Sequence, residues 1–342
     1  MSGSSVFLLG PGFIGGEILE LLLQEKYVVT TLVRRESARS AFHDRGVSTV
    51  LGTLDDEDII AQQVAKSDIV FHTATADHLL SAQAVLAGIK QRADKGQQTI
   101  YIHTSGASLL GDDSAGAFLS DVVFDDEKPE GIDALPDTAP HRLIDLAIVR
   151  GRTVLGTKAK IAIMIPPVIY GVSPRDNRLS IQITTMVRYA IKHGYAGHVG
   201  EGLSSWNQVH VKDLARGYMT VLHWLDRTSP DDVLVNPYWF CENGEELSWH
   251  DAAAEIGRAL HKEGRIQTAQ TKAIPPDNYG DLFGTYSEVV VGSNSRNRAN
   301  RLRKLGWEAR EKKSLASLVE DEIPLILQET GPFNGYEKTV AS

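Results

Sequence analysis

Cysteine is nearly absent from this sequence, which has one, Cys241, in 342 residues. A single thiol forms neither an internal disulfide nor a cysteine-based metal site, and this usage suits a reducing compartment. Long apolar runs are absent too, since a run such as Ile161–Ile165 is far too short to span a bilayer. Residues 1–5 are small and polar, unlike the basic and apolar start of a signal peptide. We therefore expect a cytoplasmic protein without a membrane partner.

Basic residues are outnumbered, with 35 Lys and Arg against 44 Asp and Glu and a net charge of −9. Proteins that bind nucleic acid broadly present a basic face, so we expect no nucleic-acid partner. The sequence also lacks an HExxH motif, a cysteine pair and a GxSxG turn. We expect a protein that holds no metal and acts on a small molecule.

The first half alternates short β-rich runs with helical patterns. The runs lie at Val6–Leu9, Tyr27–Val33, Ser48–Leu51, Ile69–His72 and Thr99–His103. Such alternation predicts a parallel sheet covered by helices on both faces. The sequence thus predicts an α/β fold, a Rossmann-type doubly wound parallel sheet with a smaller C-terminal α/β substrate lobe.

The predicted domains follow from these patterns and from the length of the chain. The dinucleotide-binding core is expected over 1–170, with residues of about 205–240 returning to it. The substrate lobe is expected mainly over 171–330, where a strand at Val233–Phe240 and a final amphipathic helix at Ser314–Leu327 are predicted. Residues 331–342 are expected to be a loosely held tail.

A glycine-rich turn follows the first predicted strand and opens a helix. It reads Gly10-Pro-Gly12-Phe13-Ile14-Gly15. The first glycine allows a tight turn, the second lets the backbone approach a pyrophosphate, and the third permits close helix–strand packing, while the helix N-terminus supplies N–H donors. The alternative is a glycine turn without a ligand. We predict a dinucleotide site.

The second predicted strand ends at Val33-Arg34-Arg35. An NAD site usually places an acidic residue there to hold the ribose hydroxyls. Two guanidinium groups suit a 2′-phosphate instead, because arginine forms bidentate charge-assisted bonds to phosphate. The alternative is that both are solvated loop charges beside Glu36. The sequence favours NADP(H), with NAD(H) as the second possibility.

Six motifs occur in the order of a known superfamily. After the glycine turn come segments at 52–56 (GTLDD), 70–74 (VFHTA), 101–106 (YIHTSG), 166–171 (PPVIYG) and 209–214 (VHVKDL). Together, over about residues 5–328, they resemble an atypical extended short-chain dehydrogenase/reductase of the NAD-dependent epimerase/dehydratase type, with variants like those of a fungal branch.

The resemblance implies a seven-stranded core and several site residues. It implies that Thr73, Ala74 and Thr75 line the cofactor path and that Pro166 to Val168 pass beside the nicotinamide. It also implies a possible homodimer, paired through helices at 78–92 and 141–156.

The sequence departs from the family at its acid/base pair. No tyrosine has a lysine four residues later, and the expected place reads His141-Arg-Leu-Ile-Asp145. His141 and Asp145 share one helix face and could form an acid/base pair, or could cap and pair at the surface. Ser105, at the end of the fifth strand, is the next catalytic candidate, against a purely local loop role. Tyr170 could donate a proton or could be packing.

The sequence predicts that two groups of arginines are exposed to solvent. Arg175 and Arg178 follow the PPVIYG segment and are interpreted as exposed loop charges, with acidic-substrate binding as the alternative. The basic run Ser295–Arg303 is interpreted as a solvated helix face.

Three functions are compatible with these observations. The first is an NADP(H)-dependent oxidoreductase acting on a small carbonyl or alcohol, with non-standard acid/base residues. The second is a redox-neutral epimerase, isomerase or dehydratase on the same fold. The third is a non-catalytic NADP(H) sensor similar to NmrA-like regulators, which the full C-terminal lobe disfavours. We prefer the two enzyme functions over the sensor by analogy with other proteins of the same fold.

Overall fold

The strands of the protein are short, and seven of them form one sheet in the computed structural model, which describes residues 3–336. In chain order the strands are β1 (Ser5–Leu9), β2 (Val28–Val33), β3 (Ser48–Leu51), β4 (Ile69–His72), β5 (Thr99–Thr104), β6 (Phe124–Asp125), β7 (Ala159–Ile165), β8 (Val168–Tyr170), β9 (Val172–Ser173), β10 (Arg178–Leu179), β11 (Gly197–His198), β12 (Ser205–His210), β13 (Tyr238–Phe240), β14 (Glu246–Ser248), β15 (Lys272–Ala273) and β16 (Asn297–Arg298).

The seven-stranded sheet has the order β13-β7-β5-β4-β1-β2-β3, and every neighbouring pair is parallel. The chain leaves β1 toward β3 and then returns to β4 on the other side of β1. Ligands bind at such a reversal, at the carboxyl ends of the strands. Strands β4, β5 and β7 are buried along their whole length, as parallel strands covered on both faces should be.

The helices cover this sheet and build the lobe beside it. They are α1 (Phe13–Gln24), α2 (Arg39–His43), α3 (Glu57–Val64), α4 (Leu79–Ala93), α5 (Pro129–Asp133), α6 (Arg142–Leu155), α7 (Gln182–His193), α8 (Val211–Arg227), α9 (Pro230–Val233), α10 (Trp249–Lys262), α11 (Ser287–Val291), α12 (Asn300–Lys304), α13 (Ser314–Ser317) and α14 (Ile323–Ile326).

Two helical layers sandwich the sheet. Helices α3, α4 and α6 pack side by side on one face, and α1 packs with α8 on the other. Gly88 makes the α3–α4 approach possible, because a Cβ there would lie 2.6 Å from the backbone oxygen of Ala61. The predicted Rossmann-type, doubly wound α/β fold is therefore confirmed.

The C-terminal lobe is built around the mixed sheet β14-β12-β8, with α7, α10 and α14 packed together. It departs from the sequence prediction twice. The predicted strand 233–240 begins only at Tyr238, because Ser229 caps a short helix that starts with Pro230. The predicted final helix is interrupted by a π-helical turn at Leu318–Glu322, just before Pro324, which cannot donate a helical hydrogen bond.

The predicted domain boundaries remain predictions. Strand β13 and helix α8, both late in the chain, pack into the core unit. Part of the predicted tail, residues 337–342, lies outside the described residues. Within the described part of the chain, every helix is too short or too polar to cross a membrane.

Candidate active site

The glycine-rich turn packs tightly between β1 and the loop after β4. Gly10 has φ +92°, and a Cβ there would lie 2.4 Å from the backbone of Ala74. A Cβ on Gly15 would lie 2.1 Å from the carbonyl oxygen of Gly10. Thr73 Oγ1 donates to that same oxygen over 2.7 Å. The structure thus brings the predicted glycines together with Thr73 and Ala74.

Helix α1 begins at Phe13 and Ile14 with its first turn uncapped. Gly12 provides no side-chain cap, and the first turn holds no acidic residue. The free backbone N–H groups and the positive end of the helix suit an anion. The turn is a cradle that side chains would fill, and this fits the pyrophosphate of a dinucleotide.

Arg34 and Arg35 follow the end of β2 and are both exposed. The neighbouring Glu36 pairs with Arg39, at 2.9 Å from its Nη1. This pairing directs the acidic charge toward Arg39 and leaves the two preceding guanidinium groups facing solvent beside the sheet edge. Their predicted role toward a 2′-phosphate stays a prediction.

His141 lies between a carboxylate and a hydroxyl. It precedes α6 with φ +65°, and its Nδ1 is 2.5 Å from Asp77 Oδ1 while its Nε2 is 2.6 Å from Ser108 Oγ. As a neutral imidazole it donates from Nδ1 to Asp77 and accepts the Ser108 hydroxyl proton at Nε2. Its side chain is 17% exposed and that of Asp77 is 39% exposed. This hydrogen-bonded chain can pass a proton between solvent and Ser108.

Ser105 and Asp145 form a second, deeper pair. Ser105 Oγ donates to Asp145 Oδ2 over 2.8 Å. Burial raises the pKa of Asp145 to about 7, against the lowering influence of Ser105, His141 and Arg142. Asp145 Oδ1 has no hydrogen-bond partner among the described residues. A carboxyl group that titrates near neutrality and keeps a spare oxygen can hold or release a proton beside Ser105.

Two buried histidines lie behind this pair. His72 Nε2 lies 2.8 Å from Ser81 Oγ, and His103 Nδ1 lies 3.1 Å from the Tyr101 hydroxyl. Burial lowers the pKa of His72 to about 4 and holds the pKa of His103 well below its usual value. Both rings are therefore neutral, and they lie edge to face with their ring centroids 5.3 Å apart.

The remaining predicted residues divide between the site and the lobe. Ala107 N donates to the carbonyl of Pro166 over 2.9 Å, and Thr75 Oγ1 accepts from the Asp77 backbone over 3.1 Å. Pro166 and Thr75 therefore support the loops that carry Ser108 and Asp77. Val168, in β8, is buried.

Tyr170 points away from these loops. Its hydroxyl donates to the Lys312 carbonyl and accepts from Asn243 Nδ2, each over 3.0 Å. Burial raises the pKa of this phenol. These contacts favour the packing interpretation over proton donation.

The sequence reasoning missed Asp77 and Ser108. A positional signal was available for Ser108, because it lies in the 3₁₀ turn Ala107–Leu110, which closely follows the end of β5. Asp77 lies in the loop after β4, an edge where polar side chains converge in parallel sheets. Among the described residues no group of three or more metal-binding side chains occurs.

Three comparisons with known proteins bear on this site. A family model described as NAD(P)H-binding matches residues 10–122. An oxidase, UcsJ, from Acremonium sp is 28% identical over 318 residues, covering 87% of this chain and 90% of that protein. A 4-hydroxy-2-methyl-3-oxo-4-farnesyl-3,4-dihydroquinoline-1-oxide ketoreductase from Stigmatella aurantiaca is 28% identical over 114 residues, 30% of this chain and 33% of that protein.

Solved structures show the same fold. A dTDP-glucose 4,6-dehydratase from Bacillus anthracis, in complex with NAD, has a TM-score of 0.66 at 14% identity, over 94% of this chain and 97% of that one. A UDP-glucose 4-epimerase from Thermotoga maritima, with UDP-glucose, has a TM-score of 0.65 at 14% identity, over 95% and 100%.

The class of protein follows from the fold and the matched segment together. The chain shares the fold of a dTDP-glucose 4,6-dehydratase and a UDP-glucose 4-epimerase, and its residues 10–122 match the NAD(P)H-binding family model. The predicted resemblance is confirmed, as is the prediction of an NAD(P)-dependent enzyme of the oxidoreductase or epimerase/dehydratase kind.

Proposed function

We propose that the protein is an NADP(H)-dependent oxidoreductase that interconverts a small carbonyl compound and its alcohol. The observation that carries this proposal is the hydrogen-bonded chain of Asp77, His141 and Ser108 at the ends of β4 and β5. It provides a proton path where the family's Tyr and Lys are missing. A cytoplasmic location and a small-molecule substrate accompany the proposal.

The cofactor would be held by the residues around the glycine turn. The N–H groups that follow Gly12 would bind the pyrophosphate, Thr73 and Ala74 would line its path, and Arg34 and Arg35 would bind the 2′-phosphate. The bound dinucleotide supplies or accepts the hydride.

The protein's own residues would move the proton. In reduction, Ser108 Oγ gives its proton to the substrate oxygen and takes one from the imidazolium Nε2 of His141. Asp77 stabilises that imidazolium through Nδ1, and the part-exposed ring regains its proton from solvent. In oxidation the proton runs in reverse, from the alcohol to Ser108 and then to His141.

Ser105 and Asp145 would orient the substrate oxygen. When Asp145 is protonated it can donate to Ser105, so the Ser105 hydroxyl proton is free for a carbonyl oxygen. When Asp145 is ionised it accepts that proton instead, and Ser105 offers only lone pairs, as an alcohol requires. The pKa of about 7 places both states within the physiological range.

The relatives support redox chemistry, because an oxidase matches most of the chain and a ketoreductase matches part of it. The second candidate is a redox-neutral epimerase or dehydratase. It is favoured by the fold shared with an epimerase and a dehydratase over nearly the whole chain.

The test is a titration followed by a turnover screen. Purified protein is first titrated with NADPH and with NADH. The NADPH-bound protein is then screened against small aldehydes and ketones, and turnover is followed by the loss of NADPH absorbance. We expect NADPH to bind more tightly than NADH. We also expect one NADPH to be oxidised for each molecule of alcohol formed, with at least one class of carbonyl compound. Product formation without net NADPH loss would support the redox-neutral candidate, and binding of neither dinucleotide would overturn both.

A further inference from the structure

A hairpin from the C-terminal lobe reaches across to the glycine-rich turn. Strands β9 and β10 pair antiparallel through residues 172–179. Ser173 Oγ donates to Glu17 Oε1 over 2.7 Å, and both residues are buried. This contact fixes the hairpin to α1, one turn from the helix N-terminus. The tip of the hairpin therefore has a defined position beside the dinucleotide cradle.

Two arginines at this tip lie against the cradle. Arg175 Nη2 donates to the carbonyl of Pro11 over 3.4 Å. A Cβ on Gly12 would lie 3.3 Å from Arg178 Nη1, and a Cβ on Gly16 would lie 2.9 Å from Arg175 Nη2. These distances place both guanidinium groups beside the first turn of α1.

The charges around this tip are unbalanced. Asp176 lies 3.6 Å from Arg175 and 3.2 Å from Arg178, so one carboxylate serves two guanidinium groups. The end of α1 adds its own partial positive charge and has no acidic residue in its first turn. A dianion at this place would neutralise the excess and accept bidentate bonds from arginine.

We propose that Arg175 and Arg178 bind the pyrophosphate of the dinucleotide beside the glycine-rich turn, from the hairpin that packs against it. A dinucleotide is the expected ligand because residues 10–122, which include the turn, match an NAD(P)H-binding family. The inference rests on the proposed function and deepens it, because it assigns cofactor-binding residues in the C-terminal lobe, outside the matched residues 10–122.

This assignment separates two groups of arginines by the phosphate they bind. Arg34 and Arg35 follow β2, where the adenosine ribose of a dinucleotide lies. Arg175 and Arg178 lie at the first turn of α1, where the pyrophosphate lies. Substitution of Arg34 and Arg35 should weaken the binding only of ligands with a 2′-phosphate. Substitution of Arg175 and Arg178 should weaken the binding of every ligand with a pyrophosphate.

The experiment is calorimetric titration of the full chain with NADPH, NADH and ADP-ribose. For Arg175→Ala/Arg178→Ala we expect Kd to rise roughly 10- to 100-fold for all three ligands. Arg34→Ala/Arg35→Ala should weaken NADPH alone. Arg258→Ala, an exposed arginine on α10 paired with Glu255, is the matched control and should change none of the three.

A second variant separates charge from geometry. Arg175→Lys/Arg178→Lys keeps both charges but loses the bidentate fork, so its Kd should fall between wild type and the alanine variant. Thermal unfolding confirms that each variant is folded. Wild-type affinity for ADP-ribose in the alanine variant would overturn this proposal alone. Failure of the wild type to bind any dinucleotide would overturn the proposed function as well.

Discussion

Asp126 and Asp145 are both fully buried carboxyl groups, and burial raises the pKa of each to about 7. Their partners differ. Asp126 accepts from the backbone N–H of Arg301 over 3.0 Å and of Phe240 over 3.1 Å, one at each oxygen. Asp145 accepts only from the hydroxyl of Ser105 and keeps one oxygen without a partner among the described residues.

This difference in partners distinguishes a structural role for Asp126 from the proposed chemical role of Asp145. Backbone donors are fixed, so Asp126 holds the C-terminal segment against β13. Arg301 strengthens that contact by stacking over Trp239 at 3.7 Å, and Arg303 pairs with the buried Glu242. A hydroxyl rotates, so Ser105 can exchange donor and acceptor roles with Asp145. A raised pKa alone therefore does not identify a catalytic group.

The largest expected effect is on His141. We choose His141→Asn, because asparagine tolerates the left-handed backbone of this position. Loss of the imidazole should lower kcat roughly 10²- to 10⁴-fold while dinucleotide affinity is kept. Steady-state kinetics and titration measure both. His223→Asn, a half-exposed imidazole paired with Glu25, should leave kcat unchanged. An active His141→Asn enzyme would remove the proposed proton path.

Asp126→Ala should lower the free energy of unfolding by about 2–4 kcal/mol, because two buried backbone N–H groups lose their acceptor. Turnover per folded molecule should stay the same. Thermal and urea unfolding, with the exposed Asp121→Ala as control, measure the first effect. A large loss of kcat at unchanged stability would contradict the structural role.

Asp145→Asn should show a stability effect that depends on pH. The pKa of Asp145 in the folded protein, about 7, lies above the ordinary aspartate value of 3.8. Its contribution to stability is therefore full below pH 3.8 and is lost as the pH rises toward 7. The variant avoids that loss and should gain about 1–3 kcal/mol at pH 8 and nothing at pH 4. Tm measured across this range tests it, and an equal shift at both pH values would refute the buried-acid assignment.

The smallest effect is expected for Tyr170→Phe. Removing a hydroxyl that bonds Lys312 and Asn243 should reduce stability by about 1 kcal/mol. Because these partners lie in the lobe, kcat should stay within about twofold of wild type. A fall in kcat of tenfold or more would instead support proton donation by Tyr170, which is the other alternative that the sequence leaves open.

The arginine-rich segments show where local sequence is a poor guide. The run 295–303 is interpreted from the sequence as a solvated helix face, but Arg296 pairs with Glu246 at 2.7 Å and Arg301 packs over Trp239. The sequence likewise predicts that Arg175 is an exposed loop charge, whereas in the structure it lies against the glycine-rich turn. Both partners are distant in the chain, so no local pattern could reveal them.

The sequence by itself determined the sheet, the glycine-rich turn and the sheet edge at which the candidate side chains lie. Apolar periodicity and the GxGxxG spacing are local signals, and the carboxyl ends of parallel strands must meet at one edge. It also placed His141 and Asp145 at the expected position of the missing Tyr and Lys, and Ser105 at the end of the fifth strand.

Only the tertiary structure decided which of these groups touch. Asp77, Ser108 and His141 come from three loops that are 31 to 64 residues apart, and their hydrogen bonds depend on how β4, β5 and α6 are packed. The same holds for the Asp145 oxygen that has no hydrogen-bond partner among residues 3–336, since burial is a property of the assembled core. The sequence determines which chemical groups are present, whereas long-range packing determines the distances between them.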